Sequence, residues 1–108
     1  MDVHRSLGSG FLETVYQTSM AHKFELQEIP FESQKSLSIK YKGQPLQKSY
    51  VSDFLVYGKI VVELKALDRL SGTEEAQVLN YLKATSLRLG VLLNFGNAHK
   101  LEWKRYIK

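Results

Sequence analysis

Residues 50–65 read Tyr-Val-Ser-Asp-Phe-Leu-Val-Tyr-Gly-Lys-Ile-Val-Val-Glu-Leu-Lys, and the fold turns on how they pair. Two runs rich in Val, Ile, Leu and aromatic residues flank Gly58, which is the pattern of a β-hairpin. Side chains alternate faces along a strand. Asp53 is therefore expected to share a face with Val51, Leu55 and Tyr57. A carboxylate on an apolar face is costly unless it is paired or binds a metal, and Asp is depleted in strands. Taken alone, an edge position with the carboxylate in water would explain it. In the second run Ile60, Val62, Leu64 and Ala66 form one apolar face, and Val61, Glu63 and Lys65 share the other. Taken alone, Glu63 and Lys65 describe the wet side of an amphipathic strand.

The loop length decides whether the two acids can meet. Opposed residues of an antiparallel pair lie on the same face. A two-residue loop, Gly58-Lys59, would pair Tyr57 with Ile60 and set Asp53 opposite Leu64. A three-residue loop, Tyr57-Gly58-Lys59, pairs Val56 with Ile60 and sets Asp53 opposite Glu63. Such loops commonly place Gly in the left-handed conformation. Convergence of the two carboxylates thus predicts an odd loop or a bulge, and a strict two-residue hairpin would refute it.

Outward from the hairpin, Leu46–Tyr57 and Ile60–Leu67 read as the second and third strands, and Leu37, Ile39 and Tyr41 alternate with polar residues in a first. Lys42-Gly43-Gln44 is a turn, and Pro30 and Pro45 are expected in turns. Phe11–Gln27 carries Leu12, Val15, Tyr16, Met20 and Phe24 near helical spacing, whereas residues 1–10 read as irregular. Ser71 and Glu74 have capping-box spacing and open a second helix ending near Ser86. Leu89–Phe95 and Leu101–Ile107 are strand-like, with a turn at Gly96-Asn97. The order α-β-β-β-α-β-β predicts a layered α/β domain, a central mixed sheet flanked by helices.

The chain has 108 residues, enough for a single domain over 1–108. It has no cysteine, which excludes disulfides, thiolate zinc sites and a cysteine nucleophile. No stretch approaches the ~20 apolar residues of a membrane span, and residues 1–10 lack the apolar core of a secretory signal. The expectation is a cytoplasmic protein without a membrane partner. Fifteen Lys and Arg against eleven Asp and Glu give a net charge of +4, a weak pointer to polyanions. Gly8-x-Gly10 is no dinucleotide fingerprint, because no strand precedes it. His4, His22 and His99 show no ligand spacing. Trp103, Lys104, Arg105 and Tyr106 mix aromatic and basic residues, but a half-buried terminal strand accounts for them better than a nucleic-acid contact.

Two helix pairs complete the pattern. Glu13 and Tyr16 lie at i and i+3, and Gln77 and Tyr81 at i and i+4, each pair on one helix face. An acid on one strand, Glu-x-Lys on its hairpin partner and Gln on the following helix resemble the PD-(D/E)XK nuclease superfamily. Ser52-Asp53 and Glu63-Leu64-Lys65 are the core signature, with Ser52 in place of the nominal Pro. His4-x-x-Leu7-Gly8-x-Gly10, Gly10-x-x-Glu13-x-x-Tyr16 and Gln77-x-x-x-Tyr81 further resemble the GxxExxY protein family, over His4 to about Phe95. That family usually has a longer helical segment before the His, so the resemblance implies a shortened leading helix.

The resemblance implies a restriction-endonuclease-like fold and a metal-dependent phosphodiesterase acting on DNA. Two carboxylates at one point repel, and a divalent cation removes that penalty. Oxygen donors favour Mg²⁺ or Mn²⁺. Asp53 and Glu63 would be the metal ligands, with the backbone carbonyl of Leu64 a third. Lys65 would hold the attacking water and offset charge on the phosphate. Glu13 would assist the metal or water, and Gln77 would orient water or a ligand carboxylate. Tyr16 and Tyr81 are expected to support by packing. A homodimer would place two sites on two strands. The rival is a non-catalytic nucleic-acid-binding or protein-interaction module that keeps the fold.

Overall fold

The computed structural model describes residues 2–107, Lys48 by its backbone alone. In chain order the elements are α1 (Asp2–Leu7), α2 (Glu13–Leu26), β1 (Phe31–Tyr41), β2 (Gln44–Val56), β3 (Ile60–Lys65), α3 (Gly72–Thr85), β4 (Leu89–Asn94) and β5 (Glu102–Ile107). The five strands form one sheet in the order β1-β2-β3-β4-β5. Only β3 and β4 run parallel, and α3 is the crossover between them; the other neighbours are antiparallel. A parallel neighbour requires such a crossover.

Helices cover both faces. Tyr16 and Met20 of α2 and Val3 of α1 pack on Phe54, Val56, Val62, Leu64 and Phe95. On the other face Val78 and Leu82 of α3 pack on Leu37, Tyr50, Leu55, Val61 and Leu92. The central strand β3 is therefore buried on both sides, as parallel-sheet strands are.

Three expectations are corrected. Residues 2–7 are helical. The glycines read there as signs of irregular chain instead end α1: Gly8 is left-handed (φ 72°) and donates to the His4 carbonyl at 2.8 Å. Strand β1 begins at Phe31, well before the alternating segment, because backbone pairing to β2 carries the polar residues 32–36 along. Pro45 lies inside β2, opposite Lys40, and not in a turn. Pairing with β3 reaches only to Phe54, so this end of β2 has one partner strand and tolerates a missing N–H. The capping box at Ser71 is present: Glu74 accepts from the Ser71 N–H at 2.9 Å, and the Ser71 hydroxyl accepts from Thr73.

Gly96 is a close-approach glycine. A Cβ there would stand 2.2 Å from the Leu67 carbonyl oxygen and 2.4 Å from its nitrogen. Gly96→Ala is expected to lower stability by about 2 kcal/mol or more through backbone displacement. Gly72→Ala, where a Cβ meets nothing within 4 Å, is the control. Thermal melts of the two variants should separate by roughly 10 °C.

Candidate functional site

The hairpin loop has three residues. Val56 pairs with Ile60. Tyr57 and Gly58 are both left-handed (φ 55° and 69°), and Lys59 donates to the Val56 carbonyl at 3.1 Å. Tyr57 adopts a conformation that costs a side-chain-bearing residue about 1 kcal/mol. Its N–H holds the turn by donating to the Pro30 carbonyl at 2.9 Å.

From this loop the ladder runs through Leu55 and Val61 to Phe54 and Val62, then stops. The next two residues face each other, and their carboxylates take over the backbone donors. The Asp53 N–H donates to Glu63 Oε1 at 3.2 Å, and the Leu64 N–H donates to Asp53 Oδ2 at 2.8 Å. The strands part at this point, and the two acids stand in the opening.

Pairing of β2 with β1 is broken at the same level. Ser33 pairs with Phe54 and Lys35 with Ser52, leaving Gln34 and Asp53 unpaired between them. Gln34 is left-handed (φ 50°). Phe31 and Val56, a pair on one side of the break, pack toward α2, whereas Leu37 and Tyr50, a pair on the other, pack toward α3. In regular strands Phe31 and Leu37 would share a face, so both strands turn over at Asp53. This corrects the expectation that Asp53 lies on a continuous face with Val51, Leu55 and Tyr57: Leu55 is buried, but Val51 and Tyr57 are exposed. Ser52 is fully buried and its hydroxyl donates to the Phe54 carbonyl at 2.6 Å, strapping the chain across Asp53.

Glu63 is 8% exposed, not on a wet face. Burial pushes its carboxyl up to about 7, with the Asp53 charge adding and hydrogen bonds opposing. One of these comes from Tyr50, whose hydroxyl donates to Glu63 Oε1. Burial and the Glu63 charge push the Tyr50 hydroxyl above the ordinary tyrosine range, which keeps it a donor. Tyr50 is stacked on Tyr81, ring centroids 3.6 Å apart and 13° between planes. Tyr81 thus packs on the ring whose hydroxyl reaches Glu63. Tyr50 is the residue that sequence reasoning missed, because strict alternation from Asp53 points it to the wrong face.

Lys65 is half-buried and forms no ion pair among the described residues. Its carbonyl accepts from the Phe95 N–H at 2.8 Å, which fixes the end of β3. Glu13 opens α2 with its residue exposed, yet its carboxyl is raised. Burial is the main cause, Lys65 pulls the other way, and Asp53 adds to the rise. Glu13, Asp53 and Lys65 therefore lie within each other's field. Gln77 is exposed one turn before Tyr81 and makes no hydrogen bond to the carboxylates. Tyr16 is fully buried and stacks on Phe95 (4.6 Å, 14°), and its hydroxyl donates to the Gly8 carbonyl at 2.6 Å. Its role is packing: it ties the glycine loop to α2 and so sets where Glu13 begins. His4 Nε2 lies 3.0 Å from the Asn97 carbonyl, a structural contact.

Asn94, also missed, is fully buried. Its side chain accepts from the Leu67 N–H and donates to the Leu67 carbonyl, each at 2.8 Å, and donates to Glu102 at 2.9 Å. Glu102 in turn accepts from the Leu70 N–H at 3.1 Å. This network fixes the path from Lys65 to α3. A polar residue closing the apolar run Leu89–Leu93 was its sequence signal.

A family model described as the PD-(D/E)XK nuclease superfamily matches residues 1–106. The chain belongs to the PD-(D/E)XK nuclease superfamily. Asp53 lies on β2 and Glu63 and Lys65 on β3, where the β2–β3 ladder ends. The architecture is restriction-endonuclease-like, a mixed sheet flanked by helices, with α1 added ahead of the expected order. The crystal structure of SSO0001 matches with a TM-score of 0.68 at 15% identity, covering 88% of this chain and 49% of that chain. The chain thus spans about half the length of that protein, and the likeness concerns the fold. No curated protein is similar enough in sequence to count as a match. Among the described residues no helix is long and apolar enough to cross a membrane. No group of three or more His, Cys, Asp or Glu among them is placed to hold a metal ion.

Proposed function

We propose that this domain hydrolyses phosphodiester bonds of DNA, with Mg²⁺ or Mn²⁺ held by Asp53 and Glu63. The observation that carries the reading is the end of the β2–β3 ladder. Two carboxylates converge there, Lys65 is next but one along β3, and Glu13 shares their field. The donor set suits a hard cation. Hydrogen bonds orient Asp53 Oδ2 and Glu63 Oε1, and the second oxygen of each carboxylate accepts none among the described residues. The Leu64 carbonyl is the main-chain oxygen proposed to complete the set. A bound divalent ion lowers the pKa of water and polarises a phosphate oxygen.

The chain's own residues do the rest. Lys65 positions the attacking water and offsets the charge that builds on the phosphate. Tyr50 holds the Glu63 carboxylate in place by its hydrogen bond, and Tyr81 holds Tyr50 by stacking. Glu13 on α2 and Gln77 on α3 are the residues proposed to orient water. A finer likeness to the GxxExxY proteins rests on Gly10, Glu13 and Tyr16. A homodimer would bring two such sites to two strands.

The test is cleavage of linear duplex, single-stranded and branched DNA with Mg²⁺ or Mn²⁺, by wild type and Asp53→Ala purified side by side. Cleavage by wild type alone, stopped by EDTA, is the expected result. Equal cleavage by both would identify a contaminant. Cleavage by neither would favour a binding module that keeps the fold.

A further inference from the structure

Between Ser33 and Ser52 the chain carries four lysines, Lys35, Lys40, Lys42 and Lys48, and no acid, although the whole chain has eleven Asp and Glu. This segment is one structural unit, the β1–β2 hairpin that closes at the left-handed pair Lys42-Gly43. Strand β3 stops pairing at Phe54, so residues 44–52 of β2 and their β1 partners run on past the point where Asp53 and Glu63 meet. The hairpin is an arm that extends past the site along the sheet, in a molecule measuring 44 × 31 × 23 Å.

One side of the arm is covered, since Leu37, Ile39 and Tyr50 pack against α3. Ser36, Ser38 and Ser49 are exposed, and the Ser36 hydroxyl donates to that of Ser49 at 3.0 Å. Lys40 and Lys42 are exposed, and so is Tyr41, whose ring has the Lys42 ammonium 5.4 Å from its centroid. Lys40 and Lys42 have no acidic partner among the described residues, whereas Lys35 pairs with Glu32. The other aromatic and basic stretch differs. On β5, Lys104 is paired with Glu75 at 2.6 Å, and Glu102 stands on the same strand. Lysines, small hydroxyls and an exposed aromatic, without acids, suit a phosphate backbone.

From this placement we infer that the β1–β2 arm is the nucleic-acid grip. Lys40 and Lys42 contact phosphates that flank the position held at Asp53 and Glu63, and Tyr41 at the tip stacks or packs against the strand. The inference rests on the proposed nuclease reading for its substrate, but binding and cleavage test the two separately.

The experiment measures anisotropy of a labelled DNA duplex and single strand with wild type, Lys40→Gln/Lys42→Gln and Lys104→Gln, across a salt series without metal. Cleavage is measured in parallel with Mn²⁺. Loss of two phosphate contacts should reduce the slope of log K against log salt by about 2 and weaken binding roughly tenfold at low salt. Lys104→Gln should match wild type. Unchanged melting temperatures show that the exposed substitutions leave the fold intact. Arm-dependent binding without cleavage supports the grip and counts against the nuclease. Cleavage with arm-independent binding does the reverse. Equal affinities and slopes in the arm variant and wild type, or no binding by wild type, would overturn the inference.

Discussion

Metal-free wild type is expected to lose stability as pH rises from 5 to 8, and Glu63→Gln to remove most of that dependence. Glu63 is buried, and burial raises its carboxyl to about 7 against an ordinary 4.5. Its folded-state pKa lies above its unfolded one, so the fold binds the proton more tightly. The stability it contributes is fully present below pH 4.5 and lost as pH rises through 7. Across that window the change is on the order of 3 kcal/mol, or roughly 10–20 °C in melting temperature for a domain of this size. Gln keeps the shape and accepts from Tyr50 through its carbonyl, but it carries no charge to bury. Thermal melts of both proteins in EDTA at several pH values test this. Mn²⁺ should restore the wild type at pH 8 by about 2.7 kcal/mol at a hundredfold excess over its Kd, and stabilise Glu63→Gln by at most about half of that. A flat wild-type profile would mean that Glu63 is not held as described.

Lys65→Ala should slow single-turnover DNA cleavage by about 10²–10³-fold, the cost of removing one charge that stabilises the transition state. Lys65 has no ion pair among the described residues to lose, and the N–H of Leu64, not Lys65, donates to Asp53. The melting temperature and Mn²⁺ affinity should therefore stay near wild type. Lys65→Arg keeps the charge but replaces a compact ammonium with a planar fork, and it should recover only part of the rate. A Lys65→Ala enzyme as fast as wild type would remove Lys65 from the chemistry.

Much of the architecture was legible because local signals and long-range pairing agree. Ser71 and Glu74 fixed the start of α3, and the loop Tyr57-Gly58-Lys59 followed from requiring Asp53 and Glu63 to meet. Parity failed where backbone geometry overrode alternation. Gln34 and Asp53 leave the ladder together, both strands turn over, and Tyr50 comes to Glu63 from a position that period-2 reading sends elsewhere. No side-chain pattern announces a left-handed Gln. Glu63 and Lys65 read as a wet face because a strand covered by helices on both sides hides its polar residues as well as its apolar ones. The polar start of β1 and the helix at Asp2–Leu7 were missed for a related reason: pairing to β2, and one buried contact at Val3, outweigh weak local preference.

The central claim is that Asp53 and Glu63 together bind one divalent cation. Water-proton relaxation during titration of Mn²⁺ into metal-free wild type, Asp53→Ala and Glu63→Gln tests it without any substrate. The account predicts one ion on the wild type, displaced by Mg²⁺, and at least a tenfold loss of affinity in each variant. No ion on the wild type, or equal affinity in all three proteins, would contradict it.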